Sequence, residues 1–168
     1  MNLSENSIWI PNHPVHHWVP GRIKSTTEDS VIAEGPGGTS HTIPKSEVLY
    51  IKQPLKAPED LLQLDDFNEP LVLHTLKTRY LNSQIYSAVG PPVVLAVNPY
   101  TSLDLYTEAH KHLYRGSDDL SFTAAPPHLF KIAEQALRGL RRSGQSQSII
   151  ITGDSGAGKT ESTKILLN

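Results

Sequence analysis

The chain has 168 residues, of which 38% are hydrophobic and 19% are charged, a composition typical of a globular protein rather than of a disordered tail. Fifteen basic and seventeen acidic residues give a net charge of −2, which provides no overall positive field for nucleic acid or an anionic membrane. The absence of cysteine excludes disulfide bonds and thiolate metal sites, and no apolar run reaches the ~18 residues of a membrane span. We therefore expect a cytoplasmic protein without a transmembrane segment that binds no nucleic acid and holds any anionic ligand locally.

The first third of the chain predicts a small all-β barrel. Residues 1–7 are interpreted as an N-terminal tail, and they lack the basic and apolar regions of a signal peptide. Short apolar runs separated by turn residues follow over residues 8–52 and predict strands at 8–10, 18–23, 31–33 and 48–51. Trp9 and Trp18 are interpreted as core residues of this barrel, the alternative being an aromatic peptide-binding groove. So small a barrel buries little surface, and we expect it to rest on the residues that follow.

After the barrel the pattern changes from strands to helices. Residues 53–67 are predicted to be a linker, because their prolines interrupt regular hydrogen bonding. A helix is predicted over residues 69–82, with Asn68 as its N-cap. Residues 93–97 form an apolar run that predicts a strand covered on both faces.

The remaining elements lead to a glycine-rich loop. Helices are predicted over residues 107–114 and after Pro126-Pro127, where apolar residues recur at helical spacing. Residues 149–152 then predict a buried strand, and a helix is predicted from Thr160 onward. The order of strand, glycine-rich loop and helix predicts a position at a strand end of an α/β sheet.

The glycine-rich loop carries a phosphate-binding pattern. Gly153, Gly158, Lys159 and Thr160 match G-x-x-x-x-G-K-[ST] in full. Glycines allow the backbone to curl so that several N–H groups point at an anion, and the next helix adds its free N–H groups. Lys159 offers a charge for the phosphates and Thr160 a hydroxyl for Mg²⁺. The alternative is a glycine-rich turn that matches by accident, and the predicted strand and helix on its two sides argue against it.

Two longer stretches resemble the myosin family. Residues 153–161, Gly-Asp-Ser-Gly-Ala-Gly-Lys-Thr-Glu, are similar to the phosphate loop of myosins, in which the second residue is more often glutamate than aspartate. Residues 98–106 resemble the myosin purine-binding loop, in which a tyrosine follows eight residues after an asparagine that ends a strand. Residues 8–51 resemble the SH3-like barrel that precedes many myosin motors. Shorter similarities lie at residues 71–74, 114–116 and 127–133.

The resemblance implies an α/β P-loop NTPase fold, the start of a myosin motor over residues 68–168, preceded by an SH3-like barrel over residues 8–52. It implies ATP and Mg²⁺ as cofactors, actin filaments as partner, light chains or calmodulin in the full protein, and a cytoskeletal location. Lys159 would stabilise phosphate charge and Thr160 would bind Mg²⁺, while Asn98, Pro99 and Tyr106 would line the adenine side. The nucleotide-binding residues implied in the phosphate loop are Gly153, Asp154, Ser155, Gly156, Ala157, Gly158, Lys159, Thr160 and Glu161.

Several parts of such a motor are not expected in these residues. Only eight residues follow Thr160, whereas the switch segments and the actin-binding surface of the family lie further along the chain. We therefore expect no complete catalytic set here and no activity of these residues alone. Thr101 and Ser102 stand where many relatives carry a basic residue, which removes a cationic nucleotide contact. Two alternatives stay open, a different P-loop nucleotide-binding protein and a truncated binding module built on the barrel.

Overall fold

The computed structural model describes residues 6–52 and 55–167, which pack as two compact units. The first unit contains Met1–Lys56 and Asn68–Thr75, and the second contains Ala57–Phe67 and Leu76–Asn168. Most of the predicted tail and two residues of the predicted linker, 53 and 54, lie outside the described residues. The rest of that linker from residue 57 onward belongs to the second unit, while the division into domains at residues 52 and 68 stays a prediction.

The first unit is built on a five-stranded antiparallel sheet with the strand order β4-β3-β2-β1-β5. The four predicted strand segments all form strands. The strand that sequence patterns missed is β4, because it is mostly polar and ends in proline, and Ile43 is its one buried residue. The strands are β1 Ser7–His13, β2 His17–Thr26, β3 Ser30–Glu34, β4 Ser40–Pro44 and β5 Leu49–Tyr50.

Strand β1 is covered on both faces. Ile8 and Ile10 are at most 1% exposed and pack on one face into an aliphatic core, with members from β2, β3 and β4. Trp9 points to the opposite face, where its ring centroid lies 5.6 Å from that of His74. Trp9 is 2% exposed, which confirms that it is a core residue, whereas Trp18 is partly exposed. The other members of the aliphatic core are Val19, Val31, Ala33 and Ile43.

The second unit is mainly helical, with one short antiparallel pair of strands. Helix α1, Glu69–Leu81, starts in the first unit and continues into the second. Its start is fixed by the predicted cap, since the Asn68 side-chain oxygen accepts a hydrogen bond from the Leu71 N–H at 3.0 Å. The other elements are β6 Tyr86–Ala88, β7 Val94–Ala96, α2 Glu108–His112, α3 Asp119–Ala124, α4 Leu129–Ser143 and α5 Lys159–Leu166.

One strand prediction in the second unit was wrong, and another was confirmed only in part. Residues 149–152 form no strand, and within the described part of the chain no backbone ladder joins them to a neighbour. The strand predicted at residues 93–97 is reduced to β7, which pairs antiparallel with β6, and Val93 is 54% exposed rather than covered. The α/β sheet expected from the sequence is therefore not present among residues 6–52 and 55–167, because apolar runs become strands only where a partner satisfies their backbone groups.

Buried polar contacts hold the strand pair in place. The Arg79 guanidinium on α1 is 3% exposed and donates to the Ser87 hydroxyl and the Tyr86 carbonyl oxygen, both at 2.9 Å. Its burial lowers its pKa, and the charge of Glu59 opposes that shift. These bonds tie helix α1 to strand β6, the partner of β7. Among the described residues, none of the helices combines the length and the apolar character that crossing a bilayer requires.

Candidate functional site

The backbone of residues 153–158 is curled in a way that only glycine allows at its ends. Gly153 has a φ of 150° and Gly158 a φ of 91°, both in the region that side chains disfavour. A Cβ on Gly153 would also lie 3.1 Å from the Cβ of Ala157. Gly158 is the residue before the first turn of α5, so the curl ends where the helix begins. The predicted helix after the loop is thus confirmed, although no strand precedes the loop.

The Lys159 ammonium lies on the inside of this curl. Its Nζ donates to the carbonyl oxygens of Gly153 at 2.7 Å and Asp154 at 2.8 Å. The Asp154 oxygen also accepts from the Ala157 N–H at 3.2 Å, which closes a turn within the loop. The loop therefore holds a partly buried positive charge against two backbone oxygens, and the ammonium has a third N–H donor with which to meet an anion.

The first turn of α5 adds further groups. Thr160 and Glu161 are exposed, and Glu161 pairs with the ammonium of Lys164 at 2.7 Å. The first N–H groups of any helix lack a partner within the helix and carry a partial positive charge. The preceding residues of the loop are also exposed, namely Asp154, Ser155, Gly156 and Ala157. An anion at this position would meet N–H groups and an ammonium together.

Asn98 connects the segment after β7 to this loop. Its Nδ2–H donates to the carbonyl oxygen of Gly156 at 2.7 Å, across 58 positions of sequence, and its Oδ1 accepts from the Tyr100 N–H at 3.0 Å. Its side-chain atoms lie 3.8–3.9 Å from the position that a Cβ on Gly158 would occupy. The Tyr100 hydroxyl is 3.5 Å from the same Gly156 oxygen, a longer and weaker contact. The structure thus brings Asn98 to residues 153–158.

Pro99 and Tyr106 have their described contacts elsewhere. The Pro99 carbonyl oxygen accepts from the Tyr80 hydroxyl at 3.3 Å. The Tyr106 hydroxyl lies 2.8 Å from that of Tyr86, and its ring lies near that of Phe130, so it belongs to a buried aromatic cluster. Tyr106 is 37% exposed, so part of this residue is open to solvent.

The centre of that cluster is His128, which the sequence analysis did not single out. The ring is 4% exposed and lies against four aromatic rings, with centroid distances of 4.6 Å to Phe130 and 4.8 Å to Tyr86. Its burial lowers the pKa of the imidazole to about 4, so it is neutral at pH 7. Its Nδ1 accepts from the Phe130 N–H at 3.0 Å, which makes it the N-cap of α4. A capping residue just before the apolar stripe was the signal that could have identified it. The other two rings are Tyr106 and Tyr114.

Two phenols of the cluster, Tyr86 and Tyr114, are also held in their neutral form. Burial, together with the hydrogen bond to Tyr106, raises the pKa of Tyr86 far above its ordinary value. Burial likewise raises the pKa of Tyr114 to about 12. Burial therefore keeps His128, Tyr86 and Tyr114 uncharged at neutral pH. The exposed member of the cluster is Tyr106.

Comparisons with known proteins agree on one family. Residues 58–168 match the model of the myosin head (motor domain) family. The chain is 38% identical over 165 residues to the myosin-J heavy chain of Dictyostelium discoideum, an alignment that covers 95% of this chain and 7% of that protein. It is 40% identical over 168 residues to myosin-1 of Arabidopsis thaliana, covering 98% of this chain and 14% of that protein. It is 36% identical over 172 residues to the high molecular weight form of myosin-1 of Acanthamoeba castellanii, covering 94% and 10%. The chain thus spans a small part of the length of the relatives it matches.

Proposed function

Because this chain belongs to the family of myosin motor domains, we propose that it is the ATP-binding beginning of an actin-based motor, in which ATP hydrolysis drives movement along actin filaments. The observation that carries the proposal is the placement of the Lys159 ammonium inside the curled loop, 2.7 Å from the Gly153 oxygen. The binding of actin filaments, and of light chains or calmodulin, is proposed for the whole polypeptide, as is its location at the cytoskeleton.

The phosphate side of the proposed site consists of residues 153–161. Their donor set fits a polyphosphate, since an ammonium, helix N-terminal N–H groups and a glycine backbone meet in one place. An ammonium has three N–H donors, so Lys159 can keep its two carbonyl partners and donate a further, charge-assisted bond to a phosphate oxygen. Thr160, exposed on the first turn of α5, would hold Mg²⁺, and the metal ion would supply charge neutralisation between phosphates.

The base side of the proposed site is the segment after β7. Pro99 and Tyr106 are each partly exposed and offer apolar surface on which a purine can pack. Asn98 was expected from the resemblance to line the same side, and its amide joins this segment to the loop by the hydrogen bond to Gly156. We also infer that residues 8–52 are an SH3-like barrel, supported by five antiparallel strands in which β1 pairs with both β2 and β5.

The proposal is tested by Lys159→Ala in the full-length polypeptide, with Mg-ATP affinity measured by calorimetry. We expect a loss of about 10-fold to 100-fold, because hydrogen bonds to charged groups are worth ~1.5–3 kcal/mol. Lys164→Ala is the matched control, since Lys164 lies on the same helix but pairs with Glu161 on the surface. Its affinity should stay within about twofold of wild type.

Two results would contradict the proposal. Equal losses of affinity in the two lysine variants would mean that the Lys159 charge contributes no more to Mg-ATP binding than the Lys164 charge does. Competition by GTP as effective as that by ATP would mean that the segment from Asn98 to Tyr106 does not select adenine, and would favour a different class of P-loop protein.

A further inference from the structure

Asn98 is held by the protein at both ends of its amide. The Oδ1 accepts from the Tyr100 N–H and the Nδ2–H donates to the Gly156 carbonyl oxygen. Rotating the amide by 180° would oppose two acceptors and two donors, so this orientation follows from the two partners. One of the two N–H groups and one of the two lone pairs are thereby engaged within the protein, so only the remaining pair could meet a base.

A chain of hydrogen bonds leads from Asn98 to Lys159. Asn98 fixes the carbonyl oxygen of the peptide that joins Gly156 and Ala157, and the N–H of the same peptide donates to the Asp154 oxygen at 3.2 Å. That Asp154 oxygen also accepts from the Lys159 Nζ at 2.8 Å. The two ends of one planar peptide are therefore held from opposite sides, and hydrogen bonds in series reinforce one another.

We infer that Asn98 is a positioning residue for the phosphate-binding loop, which fixes the peptide between Gly156 and Ala157 and through it the Lys159 ammonium, rather than a reader of the base. The inference rests on the proposed nucleotide site and deepens it. An ammonium and loop that are already in place lose less freedom when a polyphosphate binds, which raises affinity whatever the polyphosphate carries. The ligand class whose binding depends on Asn98 is therefore any magnesium polyphosphate, with or without a base.

The experiment compares two probes, Mg-ATP and inorganic Mg-tripolyphosphate, by calorimetry on the full-length polypeptide. The variant is Asn98→Ser, because a serine hydroxyl can still accept from the N–H two residues on but cannot reach Gly156. We expect both probes to weaken by the same factor of about fivefold, the loss that one neutral hydrogen bond produces. Tyr106→Leu is the matched control: it removes the aromatic ring on which the purine is proposed to pack, so it should weaken ATP binding and leave tripolyphosphate binding unchanged. Asn98→Ala, which loses both bonds, should weaken both probes at least as much as Asn98→Ser.

Each other outcome overturns the inference in a recognisable way. If Asn98→Ser weakens ATP while tripolyphosphate binds as before, Asn98 reads the base and the inference is wrong, while the proposed nucleotide site stands. If neither probe is affected and the variant melts at the wild-type temperature, the bond to Gly156 has no role in binding. If the wild-type polypeptide binds neither probe, the proposed function fails together with the inference.

Discussion

Two apolar triplets in this chain have nearly the same sequence and opposite fates. Ile8-Trp9-Ile10 lies in β1, pairs with a strand on either side, and is between 0% and 2% exposed. Ile149-Ile150-Ile151 forms no strand, and its first two residues are 41% and 89% exposed. Both triplets have a high preference for extended backbone, so the difference lies in the neighbours. Strand propensity describes a fit to a sheet surface that other residues must provide.

The loop after the second triplet keeps its shape without a strand before it. Residues 153–158 are not anchored by a ladder on the preceding residues, yet the curl is well defined. Its carbonyl oxygens are bound by two side chains, Lys159 and Asn98. The loop geometry is therefore set by local and side-chain hydrogen bonds, which do not require residues 149–152 to be a strand.

Removing the central side chain of the first triplet should reduce stability more than any other change considered for the two triplets. Trp9→Ala should lower the free energy of unfolding of the chain by about 3–5 kcal/mol, because it removes a buried aromatic ring and leaves a cavity beside His74. Urea unfolding followed by circular dichroism measures the change. Val15→Ala is the control in the turn between β1 and β2, since Val15 is 72% exposed and should change stability by less than ~0.5 kcal/mol. A Trp9 effect as small as that of Val15 would show that β1 is not buried in solution.

The pH dependence of stability tests whether the exposure of residues 149–152 is local to them. His128 lies in the same unit but is buried, and its folded pKa of about 4 lies below the ordinary value of 6.5. The unfolded chain therefore takes up a proton as pH falls below 6.5 while the folded chain does not, and the stability present above pH 6.5 is lost down to about pH 4. The difference corresponds to up to ~3 kcal/mol at 1.36 kcal/mol per pKa unit.

The measurement is the free energy of unfolding between pH 7 and pH 4, compared with that of His128→Asn. Asparagine can still cap α4 but does not titrate, so the variant should lose this part of the pH dependence. The neighbouring charge of His110 also lowers the pKa of His128, and His110→Asn should therefore reduce the effect only slightly. If His128→Asn and wild type depend on pH alike, the aromatic cluster is open to water and the second unit is loosely packed as a whole.

Local chemistry was predictable from the sequence, and long-range pairing was not. Asn68 as a cap and the glycines that permit the curl act within a few residues, so patterns alone identified them. Helix α3 escaped notice because its signal is one capping aspartate, Asp118, followed by only six helical residues. The bond from Asn98 to Gly156 joins residues 58 positions apart, and no spacing rule foretells it. Nor could the sequence show that residues 149–152 lack a partner strand, since strand propensity does not say which segment pairs with an apolar run.

The smallest expected effect concerns the second triplet. Ile150→Ser should change the free energy of unfolding of the chain by less than ~0.5 kcal/mol, because a side chain that is 89% exposed has little burial to lose. Ile10→Ser provides the contrast, since Ile10 is 1% exposed and a buried, unpartnered hydroxyl adds to the cavity it leaves. Urea unfolding of the two variants gives the ratio directly. A loss above about 1.5 kcal/mol for Ile150→Ser would mean that the triplet is covered in solution, and the strand expected from its sequence would then be the better description of residues 149–152.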